Sequence, residues 1–367
     1  MNSTIDTLKN ALDVHNNHLR LFAINKNRVL TGPKIVLLYI TDVCNLKCLH
    51  CWYHSPLDKK KKLCGELKFE KIRQVFDDCR TLGVREIHIS GRGEPTLHSR
   101  FHEIVQYAAR NKFKMHLFTN ATFPHDWIKC ITLFDVLNID LSAVTEEQYS
   151  VLQSAGSTGH FKIVLGNLRL LAGLKKHGKK TPHLKLVYVL NARNYTEIPQ
   201  VFELAERMKI DEVFIKNIDT RRFHASLQLT PSIVSKAECI IKKMAHKKFF
   251  IKRKSNLKHN FLARGVYLDE LFMKPTRPKA CYMTWYYTFI STSGQITPCC
   301  QMQDSHIMGN IYRDPFKEVW RSKQFQRLRL WGSRSLFDNT IDVCRYCCHY
   351  QDNNAIQQQL QQLGLAS

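Results

Sequence analysis

The chain has 367 residues, of which 44% are hydrophobic and 10% aromatic, so a disordered chain and a minimal module are both excluded. "IVLLYI" (residues 35–40) is far too short to span a bilayer, and no basic stretch leads into an apolar one at the N-terminus, so the expected location is the cytoplasm with no membrane partner. The formal charge of +24 fits a nucleic-acid partner, an anionic substrate or a basic proteome, and the odd count of 13 cysteines in a reducing compartment points to metal or catalysis, not disulfides.

Residues 1–33 read as an N-terminal helical extension. Strand-like runs follow at 35–40, 86–90, 114–120, 136–142, 184–190 and 212–218, with amphipathic helical patterns between them. Gly83 and Gly178 fall where helices should end, and Thr145 before Glu146 suits an N-cap. Repeated strand–helix units predict an α/β fold with a parallel sheet, open or curled into a barrel. Functional residues of such sheets gather in the loops after the strands' C-terminal ends. "CNLKCLHC" follows the first strand and "GRGEP" the second, so both face one rim. The pattern changes near residue 221: 221–280 is a basic, mainly helical bridge, 281–352 is rich in cysteine, and 353–367 is a glutamine-rich polar tail with no assigned chemistry. Short lysine groups such as 59–62 and 175–180 read as solvated faces.

Cys44, Cys48 and Cys51 bring three thiols into one loop. They suit three corners of a cubic iron–sulfur cluster that lacks its fourth ligand, or a zinc site completed by His50 or His54. At Ile89–His98, "ISGRGEPTLH" exposes backbone donors at a strand end beside a carboxylate. Thr119, Asn120, Ser142 and Asn191 end later strands at the same rim, where such residues also commonly form turns.

Cys44-x3-Cys48-x2-Cys51 after a first strand resembles the signature of the radical S-adenosylmethionine (SAM) enzymes. The resemblance implies a partial (β/α)6 TIM-like barrel over 34–220. It also implies a [4Fe–4S] cluster on the three cysteines, with SAM on the open iron. Reductive cleavage of SAM would then give a 5′-deoxyadenosyl radical that abstracts hydrogen from substrate. By the same resemblance His50 stacks on the adenine, and Gly93, Glu94 and Pro95, with Gly91 just ahead as a further cofactor contact, match a "GGEP"-like turn at the amino end of SAM. Arg92 stands in place of the first glycine of the usual pair. Thr119, Asn120 and Ser142 would meet SAM or substrate, and Asn191 the ribose or carboxylate.

Cys281, Cys299, Cys344 and Cys347 form a second set, enough for a complete cube or a zinc. Its arrangement is similar to the SPASM and twitch extensions of that superfamily, as is the passage Gly309–Ile311, Trp320, Arg327–Arg329. The similarity implies a small α+β domain with one auxiliary [4Fe–4S] cluster on those four cysteines, acting in electron transfer. Cys300 and Cys348 are adjacent alternatives as ligands. Cys64 is the hydrogen donor to test if the reaction is an epimerisation. Cys79, Cys130 and Cys239 read as packing residues, and the aromatics of "YMTWYYTFI" as core.

The expectation is an enzyme that oxidises, epimerises or cross-links a small metabolite, such as a sugar or aminocyclitol, or a peptide. Flavodoxin or ferredoxin would supply its electrons. The short stretch before Gly32 favours a small molecule over a peptide. Two alternatives stay open: the same chemistry on RNA, motivated by charge but without an aromatic RNP-like strand, and a non-enzymatic protein binding two zincs.

Overall fold

The computed structural model describes residues 2–57, 63, 65–218, 225–245, 279–302, 305–333, 344, 347 and 349–365. Six strands, β1 (Ile35–Tyr39), β2 (Glu86–Ser90), β3 (Lys114–Thr119), β4 (Val136–Asp140), β5 (His183–Leu190) and β6 (Glu212–Asn217), pair in parallel in the order of the chain. Each lies within two residues of its predicted run. Between them run α2 (Phe69–Thr81), α3 (Phe101–Arg110), α4 (Ile128–Ile131), α5 (Glu146–Leu152), α6 (His160–Lys176) and α7 (Ile198–Arg207). The Thr145 hydroxyl accepts from Gln148 N at 3.2 Å and starts α5, while Gly83 (φ +74°) takes the left-handed turn that stops α2.

Strand order that never reverses is the winding of a barrel, with the helices on one face only. That face holds the apolar core: Val36, Leu38, Ile87, Ile89, Leu117 and Ile139 pack under Ile72, Ile104, Val164 and Val201. In β2 the alternation is plain, with Ile87 and Ile89 fully buried and Glu86, His88 and Ser90 partly exposed on the other face. That second face is the lumen of a partial barrel.

The sheet continues where the sequence suggested a separate unit. β7 (Tyr287–Ile290) pairs with β1 in parallel, with Leu37 opposite Phe289, and β8 (Gln295–Thr297) and β9 (Gly309–Asn310) extend it antiparallel to nine strands. Every residue of β7 is buried, the mark of a strand covered on both faces, which periodicity cannot separate from core filler. The cysteine-rich part is therefore built onto the barrel's first strand.

The chain's two ends meet over this part. α1 (Asn2–Lys26) precedes β1, α8 (Pro231–Ala245) lies in the basic bridge, and α9 (Met283–Tyr286), α10 (Phe316–Arg321), α11 (Lys323–Ser333) and α12 (Tyr350–Gln362) belong to the C-terminal part. Most of the glutamine-rich tail is helix α12, whose Ile356 and Leu360, one turn apart, are buried with Leu21, Ile24, Tyr282 and Trp285. Two apolar residues at i and i+4 suffice to dock an otherwise glutamine-rich helix. Cys79 and Cys130 are buried as expected; Cys239 is exposed on α8 and does no packing, a correction. Among the described residues no helix is long and apolar enough to cross a membrane.

Candidate functional site

The first cysteine loop leaves β1 through a turn in which Val43 N donates to the Thr41 hydroxyl at 3.0 Å. It is then pinned from two sides. Lys47 N and Leu49 N donate to the carbonyls of Gln153 and Leu152 at the end of α5, and the Asn45 side chain bridges Thr122 and Asn120 after β3. The Cys44 sulfur accepts from Leu46 N at 3.5 Å, and the Cys51 sulfur accepts from Tyr53 N and His54 N at 3.4 and 3.3 Å. Backbone donors thus already point at two of the three sulfurs.

The "GRGEP" turn lies directly against this loop. Gly93 N donates to Thr41 O and Glu94 N to Val43 O, at 3.1 and 2.8 Å. A Cβ on Gly93 would fall 1.9 Å from Val43 O, and one on Gly91 would fall 2.5 Å from Thr41 O. Both glycines are needed because two backbones touch there. Arg92 between them meets no such limit, and its guanidinium lies 5.0 Å from the Tyr53 ring centre, which accounts for the departure from a glycine pair.

Glu94 sits where it was expected but its carboxylate faces inward. It is buried and accepts from Thr96 N, the Thr96 and Thr119 hydroxyls and Asn120 N, at 2.7–3.2 Å. Burial pushes its carboxyl above the usual range, against these four donors. The carboxylate is a brace between the ends of β2 and β3, and Pro95 opens the short turn beneath it. Ser142 and Asn191, expected at the rim as SAM or substrate contacts, are likewise hydrogen-bonded inside the fold. The Ser142 hydroxyl donates to Asp140 and accepts from Val189 N, and the Asn191 amide donates to Val189 O while its oxygen accepts from Arg193 N. His50 places Nε2 3.9 Å from Asp140 Oδ2, and its Nδ1, like His54 Nε2, is buried with no hydrogen-bond partner among the described residues. Cys64 lies outside the described residues. Gln153 was not anticipated: fully buried, it accepts from Ser142 N at 2.7 Å, donates to Asp140 O and reaches Cys48. Nothing in its sequence context marks it.

Burial pushes the Cys44 thiol up to about 12, with the charges of Glu94 and Cys51 adding and the Leu46 N–H opposing. Cys48 is raised too, by burial first and then by Asp140, Cys51 and Cys44. Thiols that raise one another can all ionise only around a cation. Among the described residues, neither cysteine set brings three donors within 4.8 Å of one another; only Glu86, His88 and His116 do.

Cys281, Cys299, Cys344 and Cys347 line a single cavity with Thr284 and His349. Cys300 is not in its wall; both Cys299 and Cys300 pack against Leu37, Tyr287 and Phe289, and Cys348 lies outside the described residues. The Thr284 hydroxyl is buried there with no hydrogen-bond partner among the described residues, as befits a cavity meant to be filled. Asn353 at the start of α12 is a second unanticipated residue. Buried, it accepts from Tyr282 N at 2.6 Å and donates to the Cys347 sulfur at 3.8 Å. The Gly309…Trp320…Arg329 passage proves to be structural: Trp320 Nε1 donates to Thr31 O, and Arg329 donates to Thr284 O and Trp320 O while lying 4.1 Å over the Trp320 ring.

Comparison with known proteins bears on this arrangement. A family model described as the radical SAM superfamily matches residues 38–205, and one described as an iron–sulfur cluster-binding domain, SPASM, matches 281–348. The chain is 20% identical to the tungsten-containing aldehyde ferredoxin oxidoreductase cofactor-modifying protein of Pyrococcus furiosus, over 84% of this chain and 86% of that one. It is 25% identical to the AdoMet-dependent heme synthase of Methanosarcina barkeri, over 81% and 85%. SuiB of Streptococcus suis, solved with S-adenosylmethionine bound, superposes with a TM-score of 0.63 at 13% identity, covering 89% of this chain and 75% of that one; at that identity the likeness shows the fold. The two domains imply SAM and [4Fe–4S] clusters as cofactors. The chain carries a radical SAM domain over residues 38–205 and a C-terminal SPASM domain over residues 281–348.

Proposed function

We propose that Cys44, Cys48 and Cys51 hold the cluster that binds SAM, that Cys281, Cys299, Cys344 and Cys347 hold one auxiliary [4Fe–4S] cluster, and that a substrate in the lumen between them is oxidised. The observation that carries this reading is the β1–β7 pairing, which joins the strand ahead of the first cysteine loop to the segment carrying the second set. When bound, the first cluster and SAM supply reductive cleavage and hydrogen abstraction, and a fully thiolate-bound auxiliary cluster supplies an electron acceptor.

The chain's own residues supply the frame. Gly91 and Gly93 let the second loop lie on the first, Glu94 ties it to β3, and Asn120 holds Asn45 in the cysteine loop. Tyr39, Phe118 and Phe289 give the lumen apolar walls, Tyr39 and Phe289 meeting edge to face at 4.6 Å between ring centres. A small organic cofactor or its precursor is the favoured substrate class, because the heme synthase and the cofactor-modifying protein match over more than four-fifths of both chains. A peptide is the second reading, since SuiB was also solved with a precursor peptide bound. A flavodoxin or ferredoxin is the proposed electron source.

Metal analysis tests the ligand assignment. Anaerobically purified protein should be brown with about eight irons per chain; colourless protein with two zincs would overturn it. Asn353→Leu should lower the auxiliary cluster's reduction potential by tens of millivolts, because losing a hydrogen bond to a ligand sulfur disfavours the more negative reduced state. Redox titration followed by electron paramagnetic resonance reads this, and the first cluster's potential should not move.

A further inference from the structure

Facing the lumen beneath the rim is a cluster that the chemistry proposed above does not use. β2 and β3 pair with Glu86 opposite Lys114 and His88 opposite His116. Side chains two residues apart share a face, so these four stand together on the lumen side, while Ile87 and Met115 are buried under the helices. Glu86 Oε1 lies 2.8 Å from His88 Nε2 and 3.4 Å from His116 Nε2, and the two imidazoles stack with centres 4.3 Å apart. The three donor atoms all lie within 4.8 Å of one another, and none of the three side chains is more than 16% exposed. Lys114 Nζ approaches the other carboxylate oxygen, Oε2, at 3.5 Å.

We infer that Glu86, His88 and His116 form a mononuclear divalent-metal site, of the kind that takes zinc or ferrous iron, in the lumen of the barrel. Tetrahedral bonds of about 2.0–2.1 Å place neighbouring donors about 3.4 Å apart, and the observed 2.8 and 3.4 Å bracket that spacing. The ion takes the place of the His88–Glu86 hydrogen bond and turns the rings out of their stack. Among the described residues, Lys114 is the lysine that reaches the carboxylate. It is half exposed and holds Oε2, so it orients the carboxylate as an outer partner while Oε1 faces the histidines. Three protein donors leave a coordination position for a carboxylate or hydroxyl oxygen of a substrate reaching down from the rim. That last role rests on the proposed function; the metal site itself does not, and its test is independent of SAM cleavage.

The test uses the full chain, purified anaerobically with its iron intact, given one equivalent of Zn²⁺ and examined by zinc X-ray absorption. The expected result is one zinc per chain with only nitrogen and oxygen neighbours at about 2.0–2.1 Å, the iron content unchanged. His116→Ala and Glu86→Gln should each weaken zinc binding at least tenfold with full iron retained. Should His116→Ala lose its iron, the isosteric Glu86→Gln decides. Failure of the wild-type chain to bind zinc, a sulfur shell near 2.3 Å, or unchanged affinity in Glu86→Gln would each overturn the site and leave an ion-paired lumen floor in its place.

Discussion

Cys48→Ala is expected to abolish SAM cleavage and to lower iron from about eight to about four per chain. Cys48 lies between the other two thiols in the loop and is held from several sides. Burial raises it, Asp140, Cys51 and Cys44 raise it further, and Gln153 opposes them with a hydrogen bond. With two thiols left, the cluster loses a corner while the neighbouring backbone donors remain aimed at Cys44 and Cys51. The second cysteine set is on a different segment and should keep its iron. Cys79→Ala is the control: that thiol is buried in the helix-side core, so its loss should cost about 1–2 kcal/mol of stability and no iron. Iron, sulfide and electron paramagnetic resonance measurements on both variants separate the outcomes. Retention of eight irons in Cys48→Ala would contradict the assignment.

Gly93→Ala is expected to reduce SAM cleavage by about a hundredfold although no ligand is removed. The added carbon would sit 1.9 Å from Val43 O and 2.4 Å from Val43 C, and a backbone cannot swing aside as a side chain can. Relief requires parting the two loops, which breaks the hydrogen bonds from Gly93 N to Thr41 O and from Glu94 N to Val43 O. Overpacking and two lost bonds together destabilise by about 3 kcal/mol. Val43 precedes Cys44, so the displacement reaches the cluster loop directly. Arg92→Ala, in the same turn, should lower cleavage less than tenfold because its backbone is unchanged. Thermal melts and SAM turnover on the two variants check the contrast; equal behaviour would show that the close approach does not position the loop.

How much of this could be read beforehand depended on whether the signal was local. The six parallel strands, the capping roles of Gly83 and Thr145 and the cysteine loop at the end of β1 all follow from periodicity and spacing along the chain. The four C-terminal cysteines share a cavity as their grouping suggested. What was missed depends on contacts between distant segments. β7 joins β1 across some 250 intervening residues, and the pairing leaves no mark in either run. Asn353 and Gln153 matter through side-chain hydrogen bonds to other segments, and any Asn or Gln in a polar stretch looks the same in sequence. Glu86, His88 and His116 alternate with apolar residues just as a solvent-facing strand would, so a polar lumen and a wet surface are indistinguishable by period. Rim position suggested ligand contact for Ser142, Asn191 and Glu94; their bonds to the strand ends and the loops joining them could not be read from the sequence, because those of Ser142 and Glu94 too join distant segments.

The most direct measurement is the product analysis of SAM under anaerobic conditions with a strong reductant. The account predicts 5′-deoxyadenosine and methionine in equal amounts from the wild-type chain, and neither from Cys48→Ala. Intact SAM with both clusters present and reduced, or the same products from the variant, would contradict it.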